Sequence, residues 1–273
     1  MIMPEEREKF EKSGYHYLPG LLSADEAQQY RMRINRAFGL PERELSNRDI
    51  DSKTYTLPDG ITKIPDFWPL IFNTKLLETI RGLLGGDIRY TQHSDLHINL
   101  GAGKYHRDSA YRDFGVGPDW DESKSAYKVV RVAIYLSDYD NSGSSLVILP
   151  GTHRHESWLN RMEVRFWNEL RTRWRRFLDT NSLPQWAISM PKTTIRHKPG
   201  DCLIFDQRVL HAGGVVAGAM PKYAAYLSFS LDNIHAYNHH AYYLSRPTYL
   251  RQIPEELSGQ LEGAGLKLTS SQP

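Results

Sequence analysis

The stretch KPGDCLIFDQRVLHAGG, residues 198–214, decides how the chain is read. Pro199-Gly200-Asp201 is a turn signal, because proline presets one turn dihedral and glycine supplies a left-handed one. Cys202 to Phe205 is an apolar run of strand length, His211 stands near the end, and Gly213-Gly214 closes the segment. A short apolar run bounded by turns reads as a buried strand. The same grammar recurs around it. Residues 87–100, Val129 to Leu136, Leu146 to Leu149 and Tyr223 to Leu231 read as strands, separated by Asn141-Ser142-Gly143 and Pro150-Gly151. Many short strands with glycine- or proline-rich turns make a β-sandwich or barrel. Nearer the N-terminus the apolar period is helical. Ser23 is a natural N-cap for Ala27, Tyr30, Ile34, Ala37 and Phe38, with Asp25 and Glu26 in the first turn, and a second helix is expected from about Trp68 to Leu84. The fold class expected is mainly β behind a helical layer.

Charge and composition exclude whole classes. The 273 residues hold 34 Lys and Arg against 32 Asp and Glu, a formal net charge of +2, which excludes a globally basic nucleic-acid binder. At 40% hydrophobic residues the chain buries a core, and no stretch approaches the ~20 apolar residues of a membrane helix. The single cysteine, Cys202, cannot form an internal disulfide, and the start MIMPEEREKF lacks an apolar signal region, so the location expected is the cytoplasm. One domain is expected over 1–253, with a helical insertion at about 156–180 and a flexible tail at 254–273. In the insertion Leu159, Met162, Phe166, Leu170, Trp174 and Phe177 keep helical spacing. Ten basic residues face four acidic ones between 151 and 198. The apolar stripe is expected on the barrel and the arginines in water, with modest steering of anions.

His106-Arg107-Asp108 is the first chemical signal. Two side chains two positions apart on extended chain point the same way, and imidazole with carboxylate suits Fe(II), Mn(II) or Zn(II). His211 is the third candidate ligand, and two histidines with one carboxylate leave coordination positions open, as O2-activating iron sites require. Two decoys fail. His106-Arg107-Asp108 with Asp113-Phe114-Gly115 mimics a protein-kinase pair, but the spacing is too short and no Gly-rich phosphate loop precedes it. Asp138 to Gly143 mimics a calcium loop, yet its twelfth position is Leu149 rather than Glu.

Four segments resemble the phytanoyl-CoA dioxygenase family of Fe(II)- and 2-oxoglutarate-dependent oxygenases: FEKSGYHYLPGLLSADEA, YHRD, GSSLVILPGTHRH and KPGDCLIFDQRVLHAGG. The resemblance implies a double-stranded β-helix (jelly-roll, cupin-like). Iron is bound by His106, Asp108 and His211, with 2-oxoglutarate and O2 as co-substrates. The family pairs the far carboxylate of 2-oxoglutarate with a basic residue, usually Arg, eleven positions after the distal histidine. Here that residue is Lys222, a point charge without the bidentate fork. Arg131 is a candidate to share the task, and Tyr135, on the same strand face, is a further co-substrate candidate; that face lines either the barrel or solvent. Asn99 is a further candidate for the co-substrate, and Gln92, His93, His97, His153 and His155 are ambiguous. Asp108 speaks against halogenation, since related halogenases replace that carboxylate with a small residue. The activity implied is hydroxylation, desaturation or cyclisation of a small metabolite or natural-product intermediate, with release of succinate and CO2. A binding protein on the same fold, or a Zn or Mn hydrolase or isomerase, are the alternatives. The partner expected is a small molecule, with an anion among the candidates, and neither nucleic acid nor membrane. Tyr237, His239, His240, Tyr242 and Tyr243 are candidates for a substrate pocket or homodimer contact.

Overall fold

Two sheets, antiparallel except for one edge pair, carry the computed structural model, which describes residues 2–100, 103–174, 189–214 and 216–270. Before the H-x-D segment come α1 (Pro4–Ser13), β1 (Tyr15–Leu18), α2 (Ala24–Ala37), β2 (Tyr55–Leu57), α3 (Gly60–Lys63), α4 (Thr74–Leu84), β3 (Arg89–Tyr90) and β4 (Asp95–Ile98). After it come β5 (Val129–Tyr135), α5 (Tyr139–Ser142), β6 (Leu146–Ile148), α6 (Trp158–Trp174), β7 (Thr193–Thr194), β8 (Cys202–Asp206) and β9 (His211–Gly213). The chain then runs through β10 (Tyr223–Ser230), α7 (Ile234–Leu244), α8 (Glu255–Gly263) and β11 (Lys267–Leu268). The larger sheet has the order β1-β8-β5-β10-β3-β11, with β4 joining β10 to β2; the smaller is β7-β6-β9. This is the double-stranded β-helix expected.

Alternation sorts the side chains into layers. On β5, Val130, Val132 and Ile134 face a core shared with Phe10, Ala27, Ile34, Leu76, Ile80 and Leu83 of the helices. Ala133 and Tyr135 face the other way, into a smaller core with Leu146, Ile148, Phe205, Ala224 and Tyr226 between the sheets. The helices are held at their starts. The Ser23 hydroxyl accepts the Glu26 N–H, and the Glu26 carboxylate takes the Ser23 N–H in return, a capping box. Gly200 sits at φ +90° against the Leu22 carbonyl, where a Cβ would come within 2.1 Å; the turn before β8 therefore requires glycine.

Three expectations are corrected. The segment from Trp68 does not run as one helix: Pro65–Leu70 is a 3-10 turn containing Pro69, and Asn73 restarts the chain as α4 by accepting the Leu76 N–H. The segment 254–270 is not a loose tail. It forms α8 and β11, with Leu257, Leu261 and Leu266 buried in the main core and β11 paired parallel to β3. Three apolar residues among polar ones suffice when they fall on one face. The insertion is helical, but its stripe does not cover the barrel: Leu159, Met162 and Phe166 are 60, 59 and 58% exposed. Instead α6 seats through Val164 and Trp167 against Tyr105, Leu149, Leu210 and Ala212. Asn168 fixes that phase by bonding both backbone groups of Tyr105. Phe177, Arg175 and Arg176 lie outside the described residues.

Candidate active site

His106 and His211 are brought together by the backbone. Each donates its N–H to the other's carbonyl, at 2.9 and 3.0 Å, so the H-x-D segment extends the smaller sheet by one bridge beside β9. Thr152 fixes the approach to His211. Its hydroxyl accepts the Leu210 N–H and donates to the Leu149 carbonyl. Alternation then sends His106 and Asp108 to one side and Arg107 to the other, where Arg107 pairs with buried Glu156. The Asp108 N–H is held by the Gln207 carbonyl at 2.8 Å.

The ring nitrogens are assigned by their neighbours. His106 Nδ1 lies 2.7 Å from the Lys104 carbonyl and His211 Nδ1 lies 2.9 Å from the Val209 carbonyl. A carbonyl only accepts, so each Nδ1 carries the proton and each Nε2 presents a lone pair, the form a metal ligand needs. The two Nε2 atoms lie 3.6 and 3.7 Å from the Asp108 oxygens, and the three ligand atoms all fall within 4.8 Å of one another. Burial, reinforced by the neighbouring His106, lowers the His211 pKa to about 4, so its imidazole is neutral near pH 7. Burial pushes the Asp108 carboxyl upward, but His211, His106 and Arg131 together hold it below the usual range, as a carboxylate. Two imidazoles that each present a free Nε2, with one carboxylate on the same face, fit Fe(II).

A cavity of about 320 Å³ opens beside these ligands. Among its walls are His93, Asp95, His97, Arg131, Tyr226 and Tyr243. Behind Asp108 runs a buried ionic chain. Arg131 donates to Asp95 at 2.6 Å, to Ser228 at 3.2 Å and to the His93 carbonyl, while its Nε lies 3.8 Å from Asp108. Tyr249 donates to the other Asp95 oxygen at 2.7 Å. Both Asp95 oxygens are thus engaged, and Arg131 is held so that its positive charge faces Asp108.

The sequence candidates fall into two groups. Arg131 and Tyr135 are on the inward face of β5. Tyr135 stacks on buried His197 at 3.8 Å, and its hydroxyl is buried without a well-formed hydrogen bond. Lys222 is buried on the same inward face as Ala224 and Tyr226, and makes no ion pair with any described residue; burial lowers its pKa to about 8. Asn99 is corrected from a co-substrate contact to an anchor. Its amide donates to Asn47 and Lys53 and accepts the Lys222 N–H, so it sets the backbone of Lys222 and has no polar group left over. Gln92 is tied to Asp59. His153 bonds the Glu11 carbonyl and lines a separate cavity near Arg208, away from the ligands. His97 does reach the site. It is buried on Tyr226, and neither of its nitrogens has a hydrogen-bond partner among the described residues. Of the His and Tyr residues at 237–243, Tyr243 lines the cavity and stacks on His93 at 3.5 Å, and His239 contacts His93 at 3.1 Å. Asp95, Arg112, Arg246 and Tyr249 escaped the sequence reading. Asp95 alone carried a signal, the inward phase it shares with His97 on β4.

Known proteins share this arrangement of chain. A family model described as phytanoyl-CoA dioxygenase (PhyH) matches residues 10–222. The ectoine dioxygenase of Stutzerimonas stutzeri (strain A1501) is 24% identical over 241 residues, covering 85% of this chain and 78% of the relative. HygX from Streptomyces hygroscopicus, solved with nickel and 2-oxoglutarate bound, superposes with a TM-score of 0.59 at 19% identity, over 84% of this chain and 87% of the other. The epimerase SnoN from nogalamycin biosynthesis, solved with Fe3+, alpha ketoglutarate and nogalamycin RO, gives a TM-score of 0.57 at 15% identity, over 83% and 82%. Among the described residues no helix is long and apolar enough to cross a membrane.

Proposed function

The chain belongs to the phytanoyl-CoA dioxygenase family and is an oxidoreductase, and from that premise we propose that it oxidises a small organic molecule at an iron held by His106, Asp108 and His211. The balanced reaction is R–H + 2-oxoglutarate + O2 giving R–OH + succinate + CO2, a hydroxylation. Iron, when bound, supplies oxygen activation and C–H oxidation, which no side chain offers. The relatives solved with a metal and this keto acid support the choice of co-substrate.

The protein's part follows from its side chains. His106, Asp108 and His211 occupy one face of the ion and leave the cavity side for small ligands. The Lys222 ammonium, inside the barrel and without a carboxylate partner, takes the far carboxylate of 2-oxoglutarate as a point charge. Arg131, braced by Asp95, orients Asp108. The observation that carries the reading is the pair of histidines whose Nδ1 atoms are committed to backbone carbonyls while both Nε2 atoms converge on Asp108. Asp108→Ala is expected to abolish iron-dependent formation of succinate from 2-oxoglutarate. Full retention of that activity in a folded variant overturns the reading.

A further inference from the structure

The cavity holds more positive charge than the metal centre and the co-substrate use. Five charged side chains line it: Asp95, Asp108, Arg112, Arg131 and Arg246. Asp95 is neutralised by Arg131, and Asp108 is a metal ligand in the reading above. That leaves Arg112 and Arg246, and neither pairs with a carboxylate of any described residue. Four other arginines, Arg31, Arg36, Arg43 and Arg89, each sit on a Glu or Asp. The two cavity arginines flank one ring instead. Arg112 reaches the Tyr243 hydroxyl at 3.5 Å, and the Arg246 guanidinium carbon lies 5.4 Å from the Tyr243 centroid. Tyr243 in turn stacks on His93, which is packed into the cavity wall against Asp95. The burial of His93 lowers its pKa to about 4, so it adds no competing charge near pH 7. Two unpaired guanidiniums braced by a fixed aromatic ring form a fork suited to a planar or tetrahedral oxyanion. Lys222 is not part of this fork. It is buried at the start of β10, whereas both arginines are exposed at the cavity's rim.

We propose that Arg112 and Arg246 form a second anion subsite, separate from Lys222, and that the molecule oxidised is a small organic oxyanion, a carboxylate or a phosphate ester. Its charged end rests on the two arginines and its body lies along Tyr243 and Tyr226, toward the metal ligands. The assignment of this molecule as the oxidised one rests on the oxygenase reading; the existence of the subsite does not.

The test is calorimetric titration of inorganic phosphate, and in parallel acetate, into the full chain loaded with Ni(II) and 2-oxoglutarate. Saturable binding of at least one anion is expected, and the stronger of the two names the headgroup. Arg112→Ala and Arg246→Ala should each weaken that binding roughly tenfold, the loss of one charge-assisted contact, while 2-oxoglutarate binds as before. Arg→Lys at either site should restore part of it. Overturning results are wild-type protein that binds 2-oxoglutarate but neither anion, anion binding indifferent to both Ala variants, or loss of 2-oxoglutarate affinity in either. If the wild-type chain binds no 2-oxoglutarate yet binds phosphate through the arginines, the oxygenase reading falls and the subsite stands.

Discussion

The two faces of β5 and β10 are built to opposite specifications. Outward, Val130, Val132, Ile134, Ala225 and Leu227 meet the helical layer in a mainly apolar contact, whose polar exception, the Tyr223 hydroxyl on Asn35, is satisfied. Inward, the same strands carry Arg131, Tyr135, Tyr226 and Ser228, with Lys222 one residue before β10. Several buried polar atoms there make no well-formed hydrogen bond among the described residues: Arg131 Nε, which has only the Asp108 carboxylate at 3.8 Å, the Tyr135 hydroxyl and, on neighbouring β4, both nitrogens of His97. A buried polar atom without a partner costs about 1–3 kcal/mol, so the inward face is carried by the stability of the outward one. Stability and chemistry are therefore separable by residue parity.

Substitutions on the two faces sharpen that contrast. Lys222→Ala has the largest expected effect after loss of a metal ligand: 2-oxoglutarate affinity should fall by roughly a hundredfold, the worth of one buried charged contact, measured by titration with Ni(II) in place of iron. The pH dependence has a definite sign. Burial lowers the Lys222 pKa to about 8, so the ammonium is complete below that pH and lost above it. Affinity for 2-oxoglutarate should be flat below pH 8 and decline above it by up to about tenfold per unit. A lysine left in water would hold affinity to beyond pH 10. Arg131→Lys should cost about 10–100-fold in metal affinity by loosening Asp108, as changes behind a metal ligand do, and calorimetry with Ni(II) reads it.

The outward face should fail differently. Val132→Ala removes fully buried methyl groups and should lower unfolding free energy by about 1–3 kcal/mol in urea, leaving metal and 2-oxoglutarate affinities of the folded protein unchanged. Loss of affinity out of proportion to stability would break the parity rule. The smallest effect belongs to Met162→Gln on exposed α6, expected within about 0.5 kcal/mol of wild type in the same urea titration.

Much of this was legible in the sequence because period 2 and turn residues report on local geometry. The H-x-D pair, the strand before His211 and the shared phase of Arg131 with Tyr135 all follow from alternation. What alternation cannot give is which face turns inward, and that settled Arg131. Asn99 was misread because its partners, Asn47 and Lys53, come from a polar loop with no periodic signal. The phase of α6 was misread because a polar residue, Asn168, seats the helix through backbone bonds that hydrophobic spacing does not register. Arg112 and Arg246 stand in loop and turn segments whose position against the cavity depends on the whole fold.

Anaerobic titration of the intact chain with Fe(II) and then 2-oxoglutarate probes the metal centre most directly. A visible charge-transfer absorption is expected, saturating at one iron and one keto acid per chain and absent from His211→Ala. No such absorption in the wild-type protein, or its survival unchanged in that variant, would contradict the assignment of His106, Asp108 and His211.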